Sequence, residues 1–441
     1  MNIALIYPEV YDIARFKEKR KEFPPFGVLY LAAVLEAEGH SVRIDRIWSG
    51  HTKLDLEDCD FVGLSVPSSA TLGLVKAARE TSSVRDDTAV VVGGVHANLY
   101  PEHTFEYLRP NVVTYGEGEQ TILELLDFDR NRRDIDGIVF EEDGVLRKTN
   151  ARRPMANISD LPLPARHLLP LNDVVMSDRL SNTDLRMAHV MFSRGCPFPC
   201  RFCAVAQTRP QYRSGDSAVR ELEDLRDRYQ VDGFAIVDDN FVVDRKKVSE
   251  ICDAISGMNM RWSALSRVDT VRPELLEKMQ RSGCIEIKYG MESGSPTILQ
   301  AMKKNISPDM IRKAVRDTHS LGIKVKLFVI HGFPGENHST TRETRSLLEE
   351  LAPYVERVSL FRFVPLPGTY VYKCPEEFNL HGTNHDEDWD DDWSKFHIHH
   401  NDRHWWGDKR DFAEVCSSYA ELNACVEGLW PKDAAGSRIS A

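Results

Sequence analysis

Three cysteines, Cys196, Cys200 and Cys203, stand in the run Arg194-Gly195-Cys196-Pro197-Phe198-Pro199-Cys200-Arg201-Phe202-Cys203. Spacings of four and three residues let three thiolates converge from a single loop on one inorganic cluster. Pro197 and Pro199 stiffen that loop. Structural zinc is the competing reading, but it needs a fourth ligand and usually paired C-x2-C knuckles; no Cys or His closes such a site here. Coincidental burial of three thiols so close together is the other alternative. The remaining cysteines, Cys59, Cys252, Cys284, Cys374, Cys416 and Cys425, are scattered and read as mostly buried thiols.

The elements that must position this loop follow a strand–helix alternation. Strands are expected at His189–Phe192, Gly233–Val237, Arg261–Leu265, Glu286–Tyr289, Lys324–Ile330 and Arg357–Phe363, with helices between them. Six such units over 184–372 predict a partial (β/α)6 barrel, and the cysteines follow its first strand, at the mouth where barrel chemistry sits. Upstream, over 1–128, near-continuous apolar strands (Asn2–Tyr7, Val42–Ile47, Phe61–Val66, Ala89–Gly94, Val112–Tyr115) alternate with helices. That is the pattern of an α/β, Rossmann-like doubly wound sheet. No G-x-G-x-x-G follows its first strand, which argues against a dinucleotide. Residues 129–183 read as a hairpin around Asp143-Gly144 and a proline-rich linker, and 373–441 as a C-terminal extension with a helix near Phe412–Leu429.

Composition narrows the function. The chain has 441 residues, 42% apolar and 28% charged, as in ordinary globular proteins. Its formal charge of −12 argues against nucleic acid as a partner. No apolar run is long enough to cross a bilayer, and MNIALIYPEV reads as a strand rather than a signal peptide, so no membrane partner and a cytoplasmic location are expected. In that reducing compartment, clustered cysteines bind metal rather than form disulfides.

C-x3-C-x2-C after the first strand of a partial barrel resembles the radical S-adenosylmethionine (SAM) superfamily. The resemblance implies a 4Fe-4S cluster on Cys196, Cys200 and Cys203, with one iron left open for the amino and carboxylate groups of SAM. It also implies one-electron cleavage of SAM to a 5′-deoxyadenosyl radical that takes a hydrogen atom from substrate. An electron donor such as flavodoxin or ferredoxin is implied with it. Further segments match in order. FAIVDDNF, with Asp238, is similar to the second-strand segment near the SAM ammonium. WSALSRVD puts Ser266 or Arg267 near the SAM carboxylate. KYGMESGS makes Glu292 a contact to SAM, and the GFPGE loop from Gly332 lies against the adenine. Phe202 of the cysteine loop joins these SAM candidates. The closing segment is FVPLPGT.

The N-terminal domain, through FPPFGVLYLA, GGVHA with Pro101-Glu102, and YGEGE, resembles the cobalamin-binding domain of cobalamin-type radical SAM enzymes. Gly93, Gly94 and Gly116 are the residues that resemblance assigns to cobalamin, a candidate third cofactor. The D-x-H-x-x-G cobalt-ligating motif is absent, and His96 reads as a loop residue rather than a cobalt ligand.

Residues Asp386–Asp411 hold nine acidic and four basic side chains together with Trp389, Trp393, Trp405, Trp406 and four histidines. As a wall of the substrate site they would suit a cationic amino sugar, a small-molecule partner. As a solvated cap they would have no such role. The favoured expectation is radical dehydration of an aminoglycoside-type amino sugar, resembling the diol dehydratases of antibiotic biosynthesis. The alternative is cobalamin-dependent C-methyl transfer, and a non-enzymatic cluster or corrinoid carrier is the third reading. A methylthiotransferase acting on tRNA would need a second cysteine triad and a basic appendage, which the sequence lacks.

Overall fold

The computed structural model describes residues 1–9, 24–177, 185–380, 393–396, 406 and 412–431. The chain forms two compact units, one over 1–174 to which the short segment around Trp393 belongs, and one over most of the remainder.

The first unit is built on a seven-stranded sheet. Its strands are β1 (Asn2–Pro8), β2 (Ser41–Ile47), β3 (Phe61–Ser65), β4 (Ala89–Gly93), β5 (Val112–Thr114), β6 (Ile138–Glu142) and β7 (Val145–Lys148), in the order β2-β1-β3-β4-β5-β6-β7. The first five run parallel in the 2-1-3-4-5 order of a doubly wound fold. The hairpin β6–β7, expected between the domains, instead extends this sheet antiparallel to β5. Its Ile138, Val139 and Phe140 are buried, so pairing along the β5 edge also covers apolar surface that a free hairpin would leave wet. Helix Phe26–Ala37 (FGVLYLAAVLEA) buries Leu29, Ala32 and Leu35 against the sheet.

The second unit is a curled half-barrel. Its strands are β8 (Val175–Ser177), β9 (Arg186–Val190), β12 (Gly233–Ile236), β13 (Arg261–Ser266), β14 (Cys284–Glu292), β15 (Lys324–His331) and β16 (Arg357–Arg362), with a two-stranded ribbon, β10 (Ser193–Arg194) and β11 (Gln211–Tyr212), after β9. The six expected strands are all parallel; β8, which fell in the expected linker, adds an antiparallel edge to β9. Parallel register decides which residues share a face. His189, Ala235, Ser263, Glu286 and Lys324 form one row, and Leu265, Lys288, Lys326 and Arg357 the next. The alternate residues, such as Trp262, Ile287, Tyr289, Val325 and Leu327, are buried, and Tyr289 Oη lies 2.8 Å from Thr318 Oγ1 of helix Pro308–Ser320. One face therefore packs on helices and the other carries charge into the curl. Helix Phe412–Leu429 packs on helix His338–Leu351 and β16, and Trp430 behind it donates to the Val355 carbonyl at 2.7 Å.

Candidate active site

The ribbon β10–β11 closes the neck of the cysteine loop. Within it the Cys196 N–H donates to Thr208 Oγ1 (2.8 Å), the Thr208 N–H to the Cys196 carbonyl (2.9 Å), and the Gln207 N–H to the Phe198 carbonyl (3.1 Å). Gly195 enters the loop at φ +87°, and a Cβ there would lie 2.6 Å from the Arg209 carbonyl oxygen, so only glycine fits. Asp238, at the end of β12, anchors the same neck: the Phe192 N–H (2.9 Å) and the Ser193 hydroxyl (2.6 Å) donate to its two carboxylate oxygens. Burial pushes its carboxyl up to about 7, against those hydrogen bonds. Asp239 accepts from the Gly195 N–H at 3.1 Å. The structure thus uses Asp238 to hold the loop.

Cys196 and Cys200 are buried and Cys203 half-buried. Burial pushes the Cys203 thiol up to about 11 and raises that of Cys200, where Lys304 and Arg267 pull the other way. Arg267 Nη1 donates to Cys200 Sγ at 3.3 Å. Its guanidinium lies 3.9 Å from the Phe198 ring centroid, is gripped by both Asp269 oxygens at 2.9 Å each, and donates to the Lys304 carbonyl at 2.5 Å. Lys304 Nζ pairs with Glu292 Oε1 at 2.7 Å, both buried, and stands 5.7 Å from the Phe202 ring centroid. Glu292 sits at φ +62°, where the β14–β15 register shifts, a conformation a non-glycine residue holds only when its surroundings impose it. Here the surroundings are Lys304 and Gly290, whose missing Cβ would lie 2.4 Å from Glu292 Oε1.

Cys200, Arg267, Glu292, Lys304 and Phe202 are therefore one connected constellation. Ser266 is not part of it: its hydroxyl contacts the Arg267 carbonyl and Thr270 Oγ1. The Gly332 N–H donates to Glu336 Oε2 at 2.5 Å, and burial pushes the Glu336 carboxyl up to about 7. Sequence reasoning passed over Asp269 and Lys304. An Arg-x-Asp spacing could have flagged the first; nothing marks the second within the polar run Met302-Lys303-Lys304-Asn305.

The donor set of the second unit fits a cluster and SAM. Among the described residues no three His, Cys, Asp or Glu side chains converge on a point as one ion would require. Three thiols on one loop can instead each bind a separate iron of a cluster. Among the described residues, the buried polar atoms without a partner include both ends of the Asn240 amide, two residues beyond Asp238, and the Ser295 hydroxyl, three beyond Glu292. Buried polar groups are rarely left so, and a polar ligand would satisfy them.

In the first unit, the carboxyl ends of β3, β4 and β5 come together. The Val66 N–H donates to the Gly93 carbonyl (2.8 Å), the His96 N–H to the Val66 carbonyl (3.0 Å), and the Gly116 N–H to Asn98 Oδ1 (2.9 Å). Gly94, at φ +103°, leaves no space for a side chain, since a Cβ would sit 2.7 Å from the Val66 carbonyl oxygen. His96 is wholly buried at the start of helix Val95–Leu99. Its Nδ1 is 2.8 Å from Ser69 Oγ and its Nε2 is 3.4 Å from His103 Nδ1, while the Trp393 ring meets it edge-on at 4.8 Å. Both ring nitrogens thus lie within hydrogen-bond distance of a neighbouring side chain, and the residue sits in a short helix rather than in the expected loop. Trp393 and Trp406 are buried, the latter stacked 4.9 Å from Phe396, so these two pack inward rather than form an open aromatic wall. Trp389, Trp405 and the histidines of that segment lie outside the described residues, as does Phe23 of the FPPFGVLYLA segment.

Comparison with known proteins agrees with this geometry. Residues 190–348 match the radical SAM superfamily and residues 18–126 the B12 binding domain. An uncharacterized methyltransferase of Pyrococcus horikoshii is 30% identical over 373 residues, covering 81% of this chain and 79% of that protein. The chain belongs to the radical SAM superfamily, in the branch with an N-terminal B12-binding domain. An anaerobic magnesium-protoporphyrin IX monomethyl ester cyclase of Rubrivivax gelatinosus is 26% identical over 375 residues, covering 80% of this chain and 66% of that protein. In fold, the chain is similar to the radical SAM methyltransferase TsrM of Kitasatospora setae, solved with cobalamin and a 4Fe-4S cluster, at a TM-score of 0.72 and 16% identity over 96% of this chain and 90% of that one. These relatives are methyltransferases and a cyclase. They back the alternative expectation, methyl transfer, over the favoured dehydration. Among the described residues no helix is long and apolar enough to cross a membrane.

Proposed function

We propose that this protein is a cobalamin-dependent radical SAM methyltransferase that acts on a carbon of a small molecule. The observation that carries this reading is a three-cysteine loop with Cys196 and Cys200 buried, braced by Arg267 and Asp238, in a chain that also has a B12-binding domain and a methyltransferase relative at 30% identity. Cys196, Cys200 and Cys203 would hold the 4Fe-4S cluster, and Asn240, Ser295 and the Glu292–Lys304 pair offer polar groups to SAM beside it. The loops at Gly93-Gly94 and Gly116 would receive cobalamin. When bound, these cofactors supply one-electron cleavage of SAM and carriage of a methyl group. The chain's part is to hold the thiolates in fixed geometry, to exclude water from them, and to turn the polar face of the curled sheet toward the reacting carbon. Of the four tryptophans that pointed to an amino sugar, Trp393 and Trp406 are packed inward.

The test is anaerobic reconstitution with iron, sulfide and hydroxocobalamin, followed by product analysis with candidate substrates. Methyl transfer yields S-adenosylhomocysteine beside 5′-deoxyadenosine and retains corrinoid through desalting. A preparation that excludes cobalamin and releases 5′-deoxyadenosine alone restores dehydration as the better reading.

A further inference from the structure

We propose that Arg267 sets the reduction potential of the cluster through its hydrogen bond to Cys200, instead of serving as the carboxylate contact for SAM. This rests on the cluster being held by the three cysteines. The geometry leaves the guanidinium little else to do. Asp269 takes Nε and Nη2 at 2.9 Å each, the Lys304 carbonyl takes Nη2 at 2.5 Å, and Nη1 points at Cys200 Sγ from 3.3 Å. Phe198 closes one face of the plane at 3.9 Å, and Arg267 is 5% exposed, so the fork cannot swing to another partner without breaking these contacts together.

A ligating thiolate still accepts hydrogen bonds, and reduction adds an electron to an assembly that three thiolates already make anionic. A donor fixed on one sulfur stabilises the reduced form more than the oxidised one, and hydrogen bonds to sulfur are a recognised control of iron–sulfur potentials. Arg267 and Lys304 are each matched by a carboxylate, Asp269 and Glu292, so the effect acts through the short N–H···S bond rather than through net charge. Arg267 is thus a positioning and tuning residue. The step it influences is the transfer of one electron from an external low-potential reductant to the cluster, with no proton moved.

The experiment is a mediated redox titration of the reconstituted full-length protein with dithionite, the reduced cluster being followed by its electron paramagnetic resonance signal. At the parent's midpoint, Arg267→Gln should lower the ratio of reduced to oxidised cluster about tenfold, ~59 mV for a one-electron couple. Arg267→Lys, which keeps a donor but not the fork, should lower it about threefold. SAM affinity for the oxidised cluster should stay within about twofold in both. A ratio that moves less than about twofold in Arg267→Gln at equal iron content overturns the proposal, as does a large loss of SAM affinity with an unmoved midpoint. If Arg267→Gln retains no iron, Arg267→Lys and Asp269→Asn carry the test, and an unmoved midpoint in both overturns it. A parent protein with no cluster signal would instead count against the radical SAM assignment of the cysteines.

Discussion

The two mainly parallel sheets of this protein treat charge in opposite ways. In the first, the central strands β1, β3 and β4 carry no charged residue, and Ile3–Tyr7, Phe61, Val62, Leu64 and Val90–Val92 are buried. In the second, one face is equally apolar, while the other buries His189, Ser263, Glu286, Lys288, Lys326 and Arg357. Arg357 on β16 reaches past β15 to pair with Glu286, and Lys288 donates to Ser263 at 3.1 Å. A sheet covered by helices on both faces meets only apolar neighbours. A sheet curled on itself encloses polar groups, whose desolvation must be offset by pairing. The first unit thus gathers backbone loops at its strand ends, and the second presents side chains from the strands themselves.

The largest effect expected from breaking this contrast is at the thiolates. Cys200→Ala should abolish 5′-deoxyadenosine formation, by about a thousandfold or more (~4 kcal/mol in transition-state terms), together with the iron–sulfur chromophore. The first readout is product assay and the second iron content; full retention of either refutes the site. Next comes the charged face. Glu286→Leu leaves Arg357 and Lys288 buried together without their carboxylate and should lower unfolding free energy by about 3–5 kcal/mol, read from the urea midpoint. A loss under about 1 kcal/mol would mean that the face is wetter than its burial suggests.

Asn240→Ala separates a ligand group from a packing group. It should weaken SAM binding about tenfold, ~1.4 kcal/mol, while leaving stability unchanged or improved, because the amide has no partner to lose among the described residues. Unchanged SAM affinity would remove Asn240 from the site. The smallest effect concerns pH in the first unit. Burial, with His103 beside it, lowers the His96 pKa from 6.5 to about 3, so the unfolded chain binds a proton that the folded one refuses. The stability cost is absent well above pH 6.5 and grows as pH falls from there toward 3. Between pH 7 and 5.5 His96 should therefore account for about 1 kcal/mol of lost stability. His96→Gln should flatten that slope, measured by denaturant unfolding at both pH values, and an unaltered slope would place the titration elsewhere.

Much of the molecule was legible because it is written in local patterns. Period-two and period-3.6 apolar repeats mark elements whose neighbours are predictable, and every parallel strand was readable from them. The cysteine loop was legible because its three cysteines share one short stretch of chain. The alternation in Cys284–Glu292 (CIEIKYGME) even contained the charged face, although pattern alone does not say whether that face meets water or a closed interior. The hairpin β6–β7 was readable as a hairpin but not as part of a sheet, since edge pairing depends on which strand lies next to it. Strand β8 was too short, and too close to prolines, to stand out.

The sequence by itself determined the two α/β units, the order of their strands along the chain and the gathering of three cysteines into one short loop, because each is a property of neighbours in the chain. Only the tertiary structure decided that Arg267 turns to Cys200, that Lys304 crosses to Glu292, that Asp238 ties the loop's neck, and that Trp393 closes over His96. Those contacts join residues distant in sequence. Their energies arise from burial and hydrogen-bond geometry, which exist only once the chain has closed.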